Sequence, residues 1–270
     1  MIRGRTAKVL THRWDGADLQ RRPDLLIVEE PLEIHLDGHL VGTTMRTPGH
    51  DFELAVGYCH GDGLLDGARV QSCRYCATGS AVDTAFNVVS VDTGGRAPVP
   101  APRVAAGTSA CGMCGSTAIE VLRERIAPIP VGEPWPIELL AGIPDVVRPS
   151  QDLFEATGAV HAAAAFDRAG AVVVVREDIG RHNAVDKVVG RLLLDADLPA
   201  TDLGLYVSGR AGFEIVQKAW AAGFGAVVAV SAPSALAAEA ARLAGLTLAG
   251  FVRQGPSAAR TCNIYNGTTS

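Results

Sequence analysis

The sequence contains no run of about twenty uninterrupted apolar residues, so it offers no candidate for a membrane-spanning helix. The basic N-terminus is not followed by an apolar stretch of signal-peptide length, and we therefore expect a cytoplasmic protein. The formal net charge is −5 and there is no long Lys/Arg run, which argues against a broad basic surface for nucleic acid or membranes. The 30 glycines and 15 prolines have no fixed period, which argues against collagen-like and simple solenoid folds.

Cysteine is also scarce, because 6 cysteines in 270 residues are too few for a disulfide scaffold. In a reducing compartment such cysteines serve chemistry or metal binding, so their spacing is informative. Cys73 and Cys76 form one Cys-x-x-Cys unit, and Cys111 and Cys114 form another. The second unit is the leading candidate for sulfur chemistry. It is flanked by glycines and precedes a predicted helix, whose N-terminus lowers the pKa of a nearby thiol.

Other interpretations of the cysteines remain open. The two units together could bind zinc through four thiolates, although they stand farther apart than the roughly fifteen to twenty residues usual for such sites. Either unit could form a redox-active disulfide, and Cys111 with Cys114 could be a buried structural pair.

The first hundred residues are predicted to be rich in β-structure. Apolar and polar residues alternate over 32–36, and a second strand over 40–45 follows an Asp-Gly turn, which predicts a hairpin. A helix is expected over 52–65 and a strand over 85–91. The composition then shifts to Gly, Pro and Ala over 97–107, which indicates a linker or long loop.

The second half of the chain alternates short apolar runs with amphipathic segments, which is typical of βαβ units with a largely parallel sheet. We expect strands over 160–166, 171–175, 203–207, 226–230 and 246–252, and helices over 182–194, 213–222 and 235–244. The sequence therefore predicts an α/β protein with a smaller β-rich N-terminal domain over 1–115 and an α/β domain over 116–270.

Ligands of such sheets gather at the carboxyl ends of the strands, which are unusually polar here. The densest polar cluster, 176–187, passes from a strand into a helix, where backbone N–H groups and arginines bind phosphates. Ser208-Gly209-Arg210 repeats this arrangement after the next strand. No Gly-x-Gly-x-x-Gly or Walker pattern is present, so a standard dinucleotide site or P-loop is not supported. The plain alternatives are a capped, solvated helix start and an ordinary tight turn.

Together these motifs resemble the formate dehydrogenase accessory sulfurtransferase (FdhD) family. The resemblance covers nearly the whole chain, and its most specific part is the segment Glu177-Asp178-Ile179-Gly180-Arg181-His182-Asn183-Ala184-Val185-Asp186-Lys187. Other matching segments are 31–34, 111–115, 157–163, 208–210, 214–218, 230–233 and 250–253.

The resemblance implies a cytoplasmic sulfur carrier and sulfurtransferase that acts as a homodimer. Such a carrier takes sulfur from a cysteine desulfurase and passes it to the molybdenum cofactor, in its bis-molybdopterin guanine dinucleotide form, before the cofactor enters formate dehydrogenase. It also implies a cytidine-deaminase-like three-layer fold for the C-terminal domain, although the deaminase Glu and Pro-Cys-x-x-Cys elements are absent.

By the family pattern, Cys111 would hold the persulfide with Cys114 as its partner, and no metal ligand is expected. The cofactor-binding residues implied by the pattern and by the strand-end positions are Phe251, Val252, Arg253, Gln254, Gly255, Arg176, Arg181, His182, Asn183, Ser208 and Arg210. An insertion over 254–259 departs from the family's usual short turn and weakens the alignment of Gly255.

An alternative from another functional class is a chaperone that binds the cofactor and its target enzyme without transferring sulfur. Its cysteines would be structural or would bind zinc. A thioredoxin-like oxidoreductase is disfavoured, because the Cys pair does not follow the first strand of a βαβ unit.

Overall fold

The computed structural model of the chain describes residues 4–76, 80–82, 84–100, 119, 122–130, 132–254, 259–267 and 269. The first part comprises β1 (Thr6–Trp14), β2 (Leu19–Ile27), β3 (Glu30–Leu36), β4 (His39–Arg46), α1 (Asp51–Gly61), β5 (Ser72–Tyr75) and β6 (Val88–Asp92). The second part comprises α2 (Ile137–Val147), a 3-10 turn (Arg148–Ser150), α3 (Asp152–Thr157), β7 (His161–Phe166), β8 (Val172–Asp178), α4 (Arg181–Leu194), β9 (Gly204–Val207), α5 (Phe213–Ala222), β10 (Ala226–Ala229), α6 (Ala235–Ala244), β11 (Thr247–Gln254) and β12 (Arg260–Asn266). Cys111, Cys114, Gly255 and the domain boundary predicted at 115–116 lie outside the described residues.

A small sheet with the strand order β4-β3-β6-β5 forms one core together with α1. The predicted hairpin is confirmed, because β3 and β4 pair antiparallel. Leu32, Ile34 and Leu36 point to the same side of β3 and are fully buried. Alternation along this strand therefore builds the core of the small sheet.

Two predicted elements of this region are shorter than expected. The helix predicted over 52–65 ends at Gly61, and Gly63 follows in a turn with a φ of 69°. The strand predicted over 85–91 begins only at Val88. Ala85 and Phe86 precede it with φ angles of 49° and 59°, which a β-strand does not accommodate.

A larger sheet has the strand order β12-β11-β10-β9-β7-β8. β9, β10 and β11 are parallel to one another, whereas β7 is antiparallel to β8 and β9, and β12 is antiparallel to β11. The sheet is therefore mixed, with four of its six strands pointing the same way. The reversal at β7 arises from the short connection to β8, because a parallel crossover needs about a dozen residues or more.

Helices cover both faces of the large sheet, so the predicted α/β fold with three layers is confirmed. α4, α5 and α6 share one core with the side chains on one face, and α2 shares another core with the side chains on the opposite face. Helices α4, α5 and α6 begin and end within one residue of the predicted bounds. Among the described residues, no helix is long and apolar enough to cross a membrane.

Helices α1 and α4 cross in backbone contact and thereby fix the small sheet against the large one. A Cβ atom on Gly190 would lie 1.8 Å from the carbonyl oxygen of Glu53, and one on Gly57 would lie 1.8 Å from that of Asp186. Only glycine permits this approach at either position.

A two-stranded antiparallel arm, formed by β1 and β2, was not predicted from the sequence. Its register runs from Thr6 opposite Ile27 to Trp14 opposite Leu19, and it pairs with no other strand among the described residues. Asp15 closes the turn at the tip by accepting hydrogen bonds from two backbone N–H groups through Oδ1. We refer to residues 6–27 as the arm.

Candidate functional site

The carboxyl ends of the central strands meet at one edge of the large sheet, where main-chain hydrogen bonds connect them. The backbone N–H of Ser208 donates to the carbonyl of Ala162, and the N–H of Ala162 donates to Ser208 Oγ, both at 2.9 Å. The N–H of Ser231 donates to the carbonyl of Gly209 at 3.3 Å, and the N–H of Phe251 donates to the carbonyl of Ser231 at 3.2 Å. The polar segments after β9 and β10 and the last part of β11 therefore lie next to one another.

A cleft of about 340 Å³ opens beside this edge, at the N-terminus of α4. The residues that line it come from both sheets: Glu29, Thr44, Met45, His161, Ile179, Gly180, Arg181, His182 and Asn183. Exposed helix N-terminal N–H groups favour an anion at such a position. The cleft therefore offers a site for a negatively charged group.

His161 connects this cleft to the neighbouring strand ends. A Cβ atom on Gly209 would lie 3.3 Å from its ring, so the segment that carries Ser208 and Arg210 passes directly beside it. Burial lowers the pKa of His161, and the nearby Arg181 lowers it further. The imidazole is therefore mainly neutral at pH 7 and can exchange hydrogen bonds with a ligand.

Three arginines at this edge, Arg181, Arg210 and Arg253, are exposed to solvent. The guanidinium of Arg253 lies 5.8 Å from the centre of the Phe251 ring, while Val252 between them is fully buried. Guanidinium groups form paired hydrogen bonds with phosphate oxygens. Of these three arginines, Arg181 lines the cleft, while Arg210 follows β9 and Arg253 lies in β11.

Much of the polar segment 176–187 faces the protein interior. Lys187 Nζ lies 2.7 Å from Asp178 Oδ2, and both side chains are fully buried. Lys187 Nζ also donates to the carbonyl of Thr47 at 3.0 Å, and the N–H of Thr47 donates to Asp178 Oδ2 at 3.1 Å. This pair therefore ties the loop between β4 and α1 to the turn between β8 and α4.

Asn183 contributes to the same junction. Its Nδ2 donates to the carbonyl of Met45 at 2.7 Å and to Asp178 Oδ1 at 3.0 Å, while its Oδ1 accepts from Thr44 Oγ1 at 3.0 Å. The side chain is buried, although it borders the cleft. Asn183 therefore holds two other lining residues in place.

Arg176, like Arg210 and Arg253, is not among the residues that line the cleft, contrary to the expectation that the strand-end arginines share one pocket. It faces α1 and pairs with Glu53, with Nε at 2.5 Å from Oε2 and Nη2 at 2.8 Å from Oε1. Burial opposes the charge of Glu53, but hydrogen bonds from Arg176 and His50 hold its pKa at about 2. Arg176 instead borders a separate cleft of about 450 Å³ along β8.

Three other polar groups of the segment also have partners. Glu177 accepts hydrogen bonds from the first N–H groups of α3, at 2.8 Å each. His182 Nε2 lies 3.1 Å from Glu214 Oε2, and Asp186 Oδ1 lies 2.6 Å from Lys218 Nζ. Burial opposes the charge of Lys218, but the carboxylates beside it outweigh that effect and raise its pKa.

Sequence reasoning did not single out Thr44 and Met45, although both line the cleft. They lie 138 or more positions before Asn183 in the chain, and no local pattern connects them to it. His161 could have been identified from the sequence, because it is a polar residue at the start of a predicted strand, close to the polar carboxyl ends of the other predicted strands.

Two cysteines within the described residues, Cys59 and Cys73, are poorly suited to thiolate chemistry. Burial raises the pKa of Cys73 to about 11 and also raises the pKa of the fully buried Cys59. Among the described residues, no cluster of three or more His, Cys, Asp or Glu side chains could hold a metal ion. Cys111 and Cys114 lie outside those residues, so the predictions for them, including a shared zinc site with Cys73 and Cys76, are not tested by the structure.

The crystal structure of a protein assigned as a formate dehydrogenase accessory protein, from Desulfotalea psychrophila, has a similar fold. The TM-score is 0.74 over 98% of both chains, at 21% sequence identity. Sequence relatives are much more similar. Proteins named sulfur carrier protein FdhD from Streptomyces coelicolor and Nocardia farcinica are 48% and 46% identical to this chain. The alignments cover 94% and 97% of this chain, and 90% and 93% of those proteins.

The model of the FdhD/NarQ family matches residues 27–270. This range includes the cleft, the exposed arginines and both cysteines of the second Cys-x-x-Cys unit. The relatives match over nearly their full length at high identity. The chain belongs to the FdhD/NarQ family.

Proposed function

We propose that this protein is a sulfur carrier that supports formate dehydrogenase, acting as a sulfurtransferase on the molybdenum cofactor. The names of relatives that are 44% to 48% identical support the carrier role. The Desulfotalea psychrophila protein of similar fold is described as a formate dehydrogenase accessory protein, which supports formate dehydrogenase as the enzyme served. We further propose that the protein acts in the cytoplasm, where a cysteine desulfurase supplies the sulfur.

In the loading step, the thiolate of Cys111 attacks the outer sulfur of a persulfide on the cysteine desulfurase. A sulfur–sulfur bond forms on Cys111, the donor's own sulfur–sulfur bond breaks, and the donor cysteine leaves as a thiolate that takes up the proton released by Cys111. No net oxidation occurs, because one persulfide replaces another.

In the delivery step, the outer sulfur must leave as sulfide and so needs two electrons. The thiolate of Cys114 attacks the inner sulfur of the Cys111 persulfide, which forms a disulfide between the two cysteines and releases hydrosulfide for the molybdenum centre. The two cysteines supply the two electrons. A cellular dithiol then reduces the disulfide before the next cycle.

The cofactor is the substrate, and we place its guanine dinucleotide part on the cleft and the adjacent strand ends. One feature of the fold carries this proposal: Arg181, Arg210 and Arg253 are exposed at the same edge of the sheet, beside a helix N-terminus. The phosphates of a dinucleotide require such cations. Phe251 borders the same edge, because its N–H donates to the carbonyl of Ser231.

The experiment incubates the full chain with a cysteine desulfurase and L-cysteine and records intact and peptide masses. We expect an added mass of one sulfur atom on the Cys111 peptide that disappears with reductant and in Cys111→Ala. Cys262→Ser is the matched control, because Cys262 is a partly buried cysteine on β12 and should leave the increment unchanged.

In the same experiment, Cys114→Ala should load sulfur but release little hydrosulfide. An unmodified wild-type protein that binds the cofactor, or that contains stoichiometric zinc, would contradict the carrier function and favour the binding-only chaperone. Sedimentation of the same preparation tests the homodimer that the family resemblance implies, because a homodimer sediments at twice the chain mass.

A further inference from the structure

We propose that the arm, residues 6–27, is a docking surface for formate dehydrogenase and recognises an apolar patch bordered by carboxylates. The proposal rests on the proposed function in one respect, namely that formate dehydrogenase receives the cofactor from this protein. The arm itself precedes nearly all of the region that the family model matches, which begins at residue 27.

One face of the arm carries an exposed apolar stripe. Leu10, Trp14, Leu19 and Leu25 are 55%, 61%, 65% and 39% exposed. The register places them on the same face, because Trp14 lies opposite Leu19, and Leu10 and Leu25 belong to adjacent rows of the same alternation. A two-stranded ribbon is marginally stable alone, and exposed apolar surface of this kind marks interaction sites.

The charges on this face have one sign. Lys8, His12 and Arg21 lie between the apolar side chains, and the register puts no carboxylate on this face. A second copy packed face to face would set cations against cations, which disfavours self-association. A partner with carboxylates around an apolar patch pairs with both features.

The distribution of cations also argues against a lipid surface. Membrane-binding surfaces gather roughly four to eight Lys/Arg on one side. The four Lys/Arg of the arm are divided between its faces, with Lys8 and Arg21 on the apolar face and Arg13 and Arg22 on the opposite one. The protein as a whole has a net charge of −5, which opposes attachment to an anionic membrane.

The position of the arm connects it to the candidate site. β2 ends at Ile27, and Glu29, two residues later, lines the cleft. The N–H of Val28 donates to the carbonyl of Arg5 at 2.9 Å and so closes the base of the arm. Nine residues per strand extend about 30 Å from that base. An enzyme bound along the arm therefore lies next to the cleft from which it would receive the cofactor.

The experiment measures binding of the full chain to purified formate dehydrogenase of the same organism, prepared without its molybdenum cofactor. Leu10→Thr with Leu25→Thr should weaken binding at least about tenfold, because threonine keeps the strand but removes two of the four apolar side chains of the stripe. Leu26→Thr is the matched control, since Leu26 is 49% exposed but lies on the opposite face. It should bind as the wild type does.

Charge reversal gives a second, independent readout. Lys8→Glu with Arg21→Glu should slow association and reduce its dependence on salt concentration. Arg13→Glu with Arg22→Glu reverses the same number of charges on the opposite face and should change both much less. Circular dichroism verifies that each variant keeps its folded structure.

Several outcomes would overturn the proposal. Unchanged affinity for formate dehydrogenase in the stripe variants would do so directly. A stripe-dependent change in sedimentation would assign the arm to a second copy. Stripe-dependent binding to vesicles that contain phosphatidylserine, an anionic lipid, would assign it to a membrane. Loss of binding to the cysteine desulfurase alone would assign it to the sulfur donor. Failure of the proposed function would instead appear as missing sulfur on Cys111 in the wild type, whatever the arm variants do.

Discussion

Removing the buried cation of Lys187 should destabilise the protein strongly, because it leaves a carboxylate without a counter-charge in the interior. Lys187 and Asp178 are both fully buried, with their charged atoms 2.7 Å apart. Lys187→Met keeps a similar length and removes only the charge and its hydrogen bonds. The remaining carboxylate still accepts hydrogen bonds from Thr47, Gly180 and Asn183.

The expected cost follows from that residual environment. Breaking a buried ion pair by removing one partner costs about 3–5 kcal/mol, and the three remaining donors favour the lower end, about 3 kcal/mol. Total stabilities are typically about 5–15 kcal/mol, so this is a large share. With an unfolding slope of about 3 kcal/mol per molar urea, the midpoint should fall by about 1 M.

Urea unfolding of the wild type, Lys187→Met and the double variant with Asp178→Asn tests this reasoning. The double variant should recover part of the stability, since it contains no unpaired buried charge. Arg191→Met lies on the same helix with its side chain 47% exposed and should leave the midpoint unchanged. A Lys187→Met midpoint equal to that of the wild type would refute the idea that this pair holds the two sheets together.

Three further predictions follow from other contacts. Gly190→Ala should cost about 3 kcal/mol or more in urea unfolding, because overlap with the Glu53 carbonyl outweighs the gain of about 1 kcal/mol in helix propensity; a stabilised variant would contradict the backbone contact. Glu53→Gln should lower the free energy of unfolding by about 2 kcal/mol at pH 7, and this difference should shrink as the pH falls from 4.5 to about 2, because the pKa of Glu53 is lower in the folded state. A stability deficit that persists at the acid end would rule out the ion pair as its cause. Arg181→Gln with Arg210→Gln should weaken binding of guanosine diphosphate at least about tenfold by calorimetry, whereas Arg242→Gln, at the far end of α6, should not; equal affinities would move the cofactor site elsewhere.

Local patterns in the sequence predicted most of the α/β region. The helix now seen at Arg181–Leu194 was expected over 182–194, and the helices at 213–222 and 235–244 agree in both bounds. Periodicity succeeds here because each helix buries one continuous face against the sheet. Ser208 and Phe251 were likewise expected at one edge of the sheet, because parallel strands end at the same side, and hydrogen bonds through Gly209 and Ser231 connect them there.

Long-range contacts explain what local patterns did not predict. Arg176 was predicted to bind the cofactor, but it pairs with Glu53. Glu53 precedes it by 123 positions, so no local pattern in the sequence shows this contact. The arm was not predicted, because neither of its faces is buried in a core and its strands therefore lack the alternation of apolar and polar residues that indicates a half-buried strand. The direction of β7 was predictable, because the connection to β8 is too short for a parallel crossover.

The polar segment 176–187 performs two tasks at once, and Asn183 shows how they are divided. Its amide hydrogens and its carbonyl oxygen are already used by Met45, Asp178 and Thr44, so little capacity remains for a ligand. Arg181, two residues earlier in the same helix turn, is exposed and faces the cleft. The inward residues hold the lining from the small sheet against the helix N-terminus, and the outward residues present charge to whatever enters. The segment is dense in polar groups because the same turn of helix both joins the two sheets and lines the cleft.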